Sequence, residues 1–223
     1  LTSTPAQVSL PTSRVSRVTS TESFRWDFQE GQTNPSATVS LDQSSSGALG
    51  SLVFSTNQTL WGWTPGRTGS RFSNVSSFTE TKATSTNSIA AFMNAALTVG
   101  QFSLEIWYTP AMTQSARIFG FGSWAPSDVD SLCSVDGSSF ALDQLQRSIV
   151  ATEATSQSGS GTKGCLPIAH SASTSKLNHV VVTNINGLFS LYFNGTLLSA
   201  QQDAIQNFAS WSQTNHLFVA HTL

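Results

Sequence analysis

Charge is scarce in this chain: 10% of its 223 residues are Asp, Glu, Lys or Arg, against about 25% in ordinary soluble domains. Ser, Thr, Asn and Gln must therefore solvate most of the surface. With a net charge of −2 and no basic cluster, the chain lacks the electrostatic footprint that a nucleic-acid partner requires. Apolar runs are short as well. None approaches the roughly 18 residues of a membrane-spanning helix, so no membrane span is expected. Position 1 is Leu and no secretory signal pattern follows it, so the sequence reads as a processed protein or a fragment, which leaves secretion open.

Cysteine is nearly absent too. Cys133 and Cys165 are too few to build a metal cage from cysteine alone, and they are the number needed for one disulfide. Two buried free thiols are the alternative. The interval between them is rich in Ser, Gly and Thr and would gain most from a staple worth about 2–4 kcal/mol; a bridge there would imply an oxidising compartment. Three Asn-x-Ser/Thr triplets, at Asn57, Asn74 and Asn194, are N-glycosylation acceptors by pattern, whereas Asn34 is excluded by Pro35. Attached sugar would supply the solvation that charge does not.

What the chain has in quantity is short alternating apolar segments. Leu177–Ala200, LNHVVVTNINGLFSLYFNGTLLSA, reads as consecutive antiparallel strands folded at Asn186-Gly187 and Asn194-Gly195. Asn-Gly suits the two-residue type I′ turn, which needs positive φ at both central positions. Between the turns Phe189, Leu191 and Phe193 share one face and Ser190 and Tyr192 the other, the period of a half-buried strand. Phe102–Pro110 alternates without a break and is the expected central strand. Phe24–Phe28, Ser36–Asp42, Ser51–Ser55, Ala116–Ser123, Ser138–Gln144, Arg147–Thr152 and His216–Leu223 continue the series at the spacing of a sandwich.

Other stretches read differently. Residues 1–23 form a Ser/Thr/Pro-rich linker and 24–223 a single all-β domain, since such domains commonly run past about 200 residues undivided. Trp61–Phe72, with Gly and Pro recurring, is expected as a loop, and Ser88–Leu97 as at most a turn or two of helix. Glu153–Lys176 reads as a long polar excursion tethered at Cys165.

The order of these motifs resembles the laminin-G-like modules of the concanavalin A-like lectin/glucanase superfamily, over roughly Phe24 to the end. Asn178-His179-Val180-Val181-Val182-Thr183 is similar to that family's Trp-His-His-Val-Ala-Val-Thr stretch, and Leu191-Tyr192-Phe193-Asn194-Gly195 to its Leu-Tyr-Val-Asn-Gly. Leu177 stands where the family usually has Trp. The resemblance implies a jelly-roll sandwich of two antiparallel sheets. It also implies further strands beyond His221, which would leave the last strand as an edge open to a partner.

The same superfamily includes glucanases, whose retaining chemistry needs two carboxyl groups about 5–5.5 Å apart. Here the corresponding strand offers Glu105, with Trp107 where a second acid would stand. No nucleophile elbow, zincin helix or dinucleotide loop occurs, so the chain is expected not to be an enzyme. No cofactor is expected either. Calcium is the one open alternative, because Asp128, Asp130 and Asp136 gather in one loop, although Asp and Gly are also ordinary turn formers. Sugar contact would need exposed aromatic platforms, for which Trp61 and Trp63 in the Gly/Pro stretch are the first candidates, ahead of Trp107, Trp124 and Trp211.

These observations lead to a non-catalytic structural or adhesion module of an extracellular or cell-surface glycoprotein. Its expected partners are other protein modules, including copies of itself. A carbohydrate-binding lectin domain is the alternative, and a glycoside hydrolase ranks third.

Overall fold

The computed structural model describes residues 24–28, 30, 34, 36–44, 46–54, 61–63, 70–72, 83–109, 116–122, 138–145, 148–154, 163–168, 176–202 and 213–222. In chain order their elements are β1 (Val39–Ser40), β2 (Leu52–Phe54), β3 (Trp61–Trp63), β4 (Ser70–Phe72), β5 (Ala83–Ser88), α1 (Ala90–Val99), β6 (Gln101–Tyr108) and β7 (Ala116–Gly122). There follow β8 (Ser138–Leu145), β9 (Ser148–Ala154), β10 (Lys163–Ile168), β11 (Asn178–Ile185), β12 (Leu188–Phe193), β13 (Thr196–Gln202) and β14 (His216–Thr222).

Two antiparallel sheets face each other across the core. The larger runs β1-β2-β5-β14-β7-β8-β9-β10, the smaller β13-β12-β11-β6. Alternation explains the core directly: β6 turns Phe102 and Leu104 inward, β11 Val180 and Val182, β12 Phe189, Leu191 and Phe193. The larger sheet answers with Leu52, Phe54, Phe119, Phe121, Phe140, Leu142, Ile149 and Leu217. Rings interlock between layers, Phe102 meeting Phe140 edge-on at 5.9 Å. Both Asn-Gly turns form as read, with φ of 52° and 79° at Asn186 and Gly187 and of 49° and 80° at Asn194 and Gly195. Their strands pair in the register the turns dictate, Ile185 opposite Leu188 and Phe193 opposite Thr196.

Several expectations are corrected. Phe24–Phe28 is not a strand: Phe24, Trp26 and Phe28 pack against the core from an irregular segment, held by Trp26 Nε1–H donating to Gly50 O and Arg25 N–H donating to Asp42 Oδ1, both at 3.0 Å. Trp61–Phe72 is not simply a loop, because β3 and β4 pair as a hairpin with Trp61 opposite Phe72.

The helix is longer than one or two turns. Ile89, Phe92, Met93 and Ala96 bury one continuous stripe, and Gly100 ends the helix at φ 68°, its N–H bonding Ala96 O at 2.8 Å. β5, which has no large apolar residue, went unforeseen; it forms because β2 and β14 pair on either side of it. The polar excursion after Glu153 contains β10, an edge strand, where Pro167 is tolerated.

The most consequential correction concerns the C-terminal strand. β14 is not an open edge: it is hydrogen-bonded to β5 on one side and β7 on the other. Leu217 and Phe218 are buried on its opposite faces, so over His216–Val219 the strand lies inside the sheet rather than at its edge.

Candidate functional site

The outer face of the smaller sheet carries the residues that β6, β11, β12 and β13 turn away from the core. At its β6 end three of them form a cluster that the strand geometry requires. Glu105 and Trp107 are two apart on β6 and so share a face. The antiparallel register places His179 of β11 directly opposite Trp107, and Val181 opposite Glu105.

The side chains then close on one another. Trp107 Nε1–H donates to Glu105 Oε1 at 3.0 Å, and His179 Nε2, also 3.0 Å from that oxygen, donates its proton to the same carboxylate. The indole and imidazole lie parallel, 11° apart in plane with centroids at 4.0 Å. Aromatic pairs in contact are worth about 0.5–1.5 kcal/mol beyond the area they bury.

The result is a fixed aromatic surface rather than a mobile one. Trp107 is nonetheless 53% exposed: its ring NH is committed to Glu105 and one face to His179, which leaves the remainder of the indole turned to solvent. An exposed, preorientated aromatic plane beside a carboxylate can receive a flat apolar ligand surface while hydrogen-bonding polar groups at its rim, with little ordering entropy left to lose.

Asn194 borders the cluster. Its Oδ1 accepts the His179 N–H and its own N–H donates to His179 O, both at 2.8 Å, so the β12–β13 turn is stitched to the strand that carries the imidazole. Ile185, Leu188 and Leu197 are also exposed on this face, at 48%, 43% and 51%.

The remaining expected site residues stand as follows. Trp61 and Trp63 contribute backbone to β3, opposite Phe72 and Ser70 of β4; their side chains lie outside what is described. Asn57, Asn74, Trp124, Trp211 and the three acids Asp128, Asp130 and Asp136 also lie outside them, so no calcium ligand set is described. Cys165 contributes backbone to β10 opposite Thr152, but Cys133, and with it the expected bridge, falls outside. Among the described residues no three His, Cys, Asp or Glu side chains gather around a metal-sized space. His216 is structural, its Nδ1 donating to Ser85 O at 2.9 Å.

What the sequence reading missed is the partnership of Trp107 with His179. The available signal was a Glu-x-Trp pair on the polar face of the clearest strand. Recognising it required the β6–β11 register, which no local pattern supplies.

No protein-family model matches the chain, and no curated protein does. Solved structures do resemble it. The receptor-binding domain of botulinum neurotoxin type G superposes with a TM-score of 0.51 at 15% identity, over 84% of this chain and 42% of that one, a likeness of fold. The CBM40 module of the Ruminococcus gnavus IT-sialidase, bound to α2,3-sialyllactose, matches 61% of this chain and 73% of its own at 15% identity, with a TM-score of 0.41. The ligand-binding domain of botulinum neurotoxin serotype D, in complex with N-acetylneuraminic acid, matches 55% and 29% at 16% identity, with a TM-score of 0.39. The first of these, the type G domain, agrees in fold with the sandwich described above.

Proposed function

We propose that this chain is a non-catalytic glycan-binding module of laminin-G-like type, acting outside the cell, and that a sugar ring lies on Trp107. One observation carries the reading. Trp107 is a large aromatic held rigid by Glu105 and His179 yet more than half exposed, and an exposed ring fixed at the expense of two hydrogen-bonding side chains is a surface prepared for contact.

The C–H face of a pyranose would bury apolar area against the indole at roughly 25 cal/mol per Å², and its hydroxyls would meet the carboxylate edge. Glu105 sets a preference as well. A negative charge at the rim disfavours carboxylated sugars, so neutral or amino sugars are the expected class.

The test is a glycan array with the wild-type chain and Trp107→Ala, His179→Ala and Trp61→Ala variants, each checked for folding by circular dichroism. Binding to neutral glycans that falls at least about tenfold, or 1.4 kcal/mol, in Trp107→Ala supports the proposal. Binding unaffected there but abolished in Trp61→Ala would move the site to the β3–β4 hairpin. No binding to any glycan would end the reading.

A second reading, an assembly or adhesion module that docks protein, is supported by the exposed Ile185, Leu188 and Leu197 on the same sheet face. It loses the support that an open C-terminal edge would have given. Sedimentation velocity of the wild type against Ile185→Lys/Leu197→Lys separates it: concentration-dependent association lost in the variant favours assembly, and a monomer at all concentrations argues against self-association.

A further inference from the structure

We propose that Asn194 carries an N-linked glycan whose first sugars lie across Trp107, so that the chain's own carbohydrate competes with external ligand for the aromatic surface. The inference rests on Trp107 being a sugar-complementary plane. It adds a modification site and a means of regulating the platform.

Three observations converge. The first is accessibility of the acceptor. Asn194 begins the β12–β13 turn at φ 49°, is exposed, and is followed by Gly195, around whose Cβ position there is open space, and by the exposed Thr196 of the triplet. The second is orientation. Asn194 Oδ1 is committed to the His179 N–H at 2.8 Å, and because the carboxamide is planar this turns Nδ2 away from the β11 backbone.

The third is position. Asn194 follows directly on Phe193, the last residue of β12, and its carboxamide reaches the β11 backbone at His179. His179 is its neighbour across the ladder and Trp107 the neighbour of His179 on the other side. With strands about 4.8 Å apart, the attachment point and the indole stand two strand spacings from each other, within the span of the first sugars of an N-linked chain.

The chemistry is an ordinary transfer. The co-substrate is a polyprenyl-diphosphate-linked oligosaccharide: the Asn194 amide nitrogen forms a bond to the anomeric carbon, the bond from that carbon to the diphosphate oxygen breaks, the diphosphate leaves with the electron pair, and the nitrogen gives up one proton. Nothing is oxidised or reduced. The attached acetamido sugar is neutral, which matches the rim that Glu105 creates, and it would be held at high effective concentration by its short tether.

The test uses the full chain secreted from a eukaryotic host, as wild type, Thr196→Ala and Thr196→Ser. Thr196→Ala removes the acceptor pattern while keeping Asn194 and its hydrogen bonds, and Thr196→Ser keeps the pattern. Glycopeptide mass spectrometry reads occupancy of Asn194, and oxidative footprinting with peptide-level readout follows Trp107.

The expected result is occupied Asn194 in wild type and Thr196→Ser, with Trp107 oxidised several-fold more slowly than in Thr196→Ala. Array binding should be correspondingly stronger in Thr196→Ala. An unmodified Asn194, or equal oxidation of Trp107 in all three, overturns the proposal. If wild type and Thr196→Ala bind external glycan equally while Asn194 is occupied, the platform reading survives and this one falls. If Thr196→Ala binds nothing while wild-type Trp107 is shielded, external recognition falls and the intramolecular contact stands.

Discussion

The β6 end of the smaller sheet and the β7–β8–β9 part of the larger one have outer faces of opposite character, although the same two-residue period generates both. On the smaller sheet Trp107, Ile185, Leu188 and Leu197 are all more than 40% exposed. On the larger sheet the outward residues of β7, β8, β9 and β14 include the buried Ala141, Val150 and Phe218, at 0%, 2% and 6% exposure, and an ion pair of Arg117 and Asp143 at 3% and 9%, whereas on β2 of the same sheet Val53 is 43% exposed. That pair is bidentate, Nε to Oδ1 at 2.8 Å and Nη2 to Oδ2 at 3.1 Å.

A bulge between Arg117 and Phe119 makes the ion pair possible by shifting the register against β8. Gly120 leaves the space: a Cβ there would stand 2.9 Å from Phe140 O and 3.3 Å from both the Arg117 and Phe218 side chains. Charge is thus spent in two ways. Behind the larger sheet it is sealed and structural; on the smaller sheet Glu105 is partly exposed and orients two rings. A sheet face in this protein is given to stability or to presentation, and the difference lies in what surrounds it rather than in the strand pattern.

The sharpest way to break that comparison is to remove one carboxylate from each face. Asp143→Ala should cost about 3–5 kcal/mol, because it takes the principal counter-charge from a buried guanidinium, whereas Glu105→Ala should stay within about 1 kcal/mol. Urea denaturation of the two variants side by side decides it, and equal losses would mean the faces are not distinct.

Next in size is Asn184→Ala. Asn184 Nδ2 donates to both oxygens of the buried Glu153 across the sandwich, at 2.8 and 3.0 Å, while its Oδ1 accepts the Gly187 N–H at 3.1 Å. Losing a donor to a buried carboxylate should cost about 1.5–3 kcal/mol, with the Asn186-Gly187 turn loosened as well, visible as faster amide exchange at Gly187.

A pH experiment probes the inner side of the same sheet. Tyr108 lies behind the platform, its phenol beside the Asn178 side chain. Burial, opposed in part by the Asn178 side chain, pushes the phenol far above its ordinary value. An acid whose folded-state pKa is raised contributes stability that is full below the unfolded pKa and is lost as pH rises above it, so denaturation midpoints should fall above about pH 10. Tyr108→Phe should flatten that fall, and an unchanged alkaline limb would refute the assignment. The smallest expected effect is Trp107→Ala on stability: with half its surface already in water it should cost at most about 1–2 kcal/mol, even where binding is lost.

Much of the architecture was legible along the chain. Asn186-Gly187 and Asn194-Gly195 marked their turns because positive φ at two successive positions is a local demand, and β6, β11 and β12 announced themselves because alternation of large apolar residues is local too. β5, with the sequence ATSTNS, was not legible: its pairing is made by β2 and β14, far away in sequence. The helix was undercalled because its length rests on what Ile89, Phe92, Met93 and Ala96 pack against. The interior place of β14 was missed for the same kind of reason, since a strand's neighbours depend on sheet order.

The candidate site divides the same way. Glu105 and Trp107 could be seen to share a face, and Asn194 to sit on a turn, from spacing alone. The sequence by itself determined an all-β chain with low charge, two defined turns and the polar and apolar faces of its clearest strands, because those properties depend on residues next to one another. Only the tertiary structure decided that His179 stacks on Trp107, that Asn194 adjoins that stack, and that the Arg117–Asp143 pair is buried while Trp107 meets solvent. Such facts depend on register and layering between segments separated by many residues, and no local propensity encodes them.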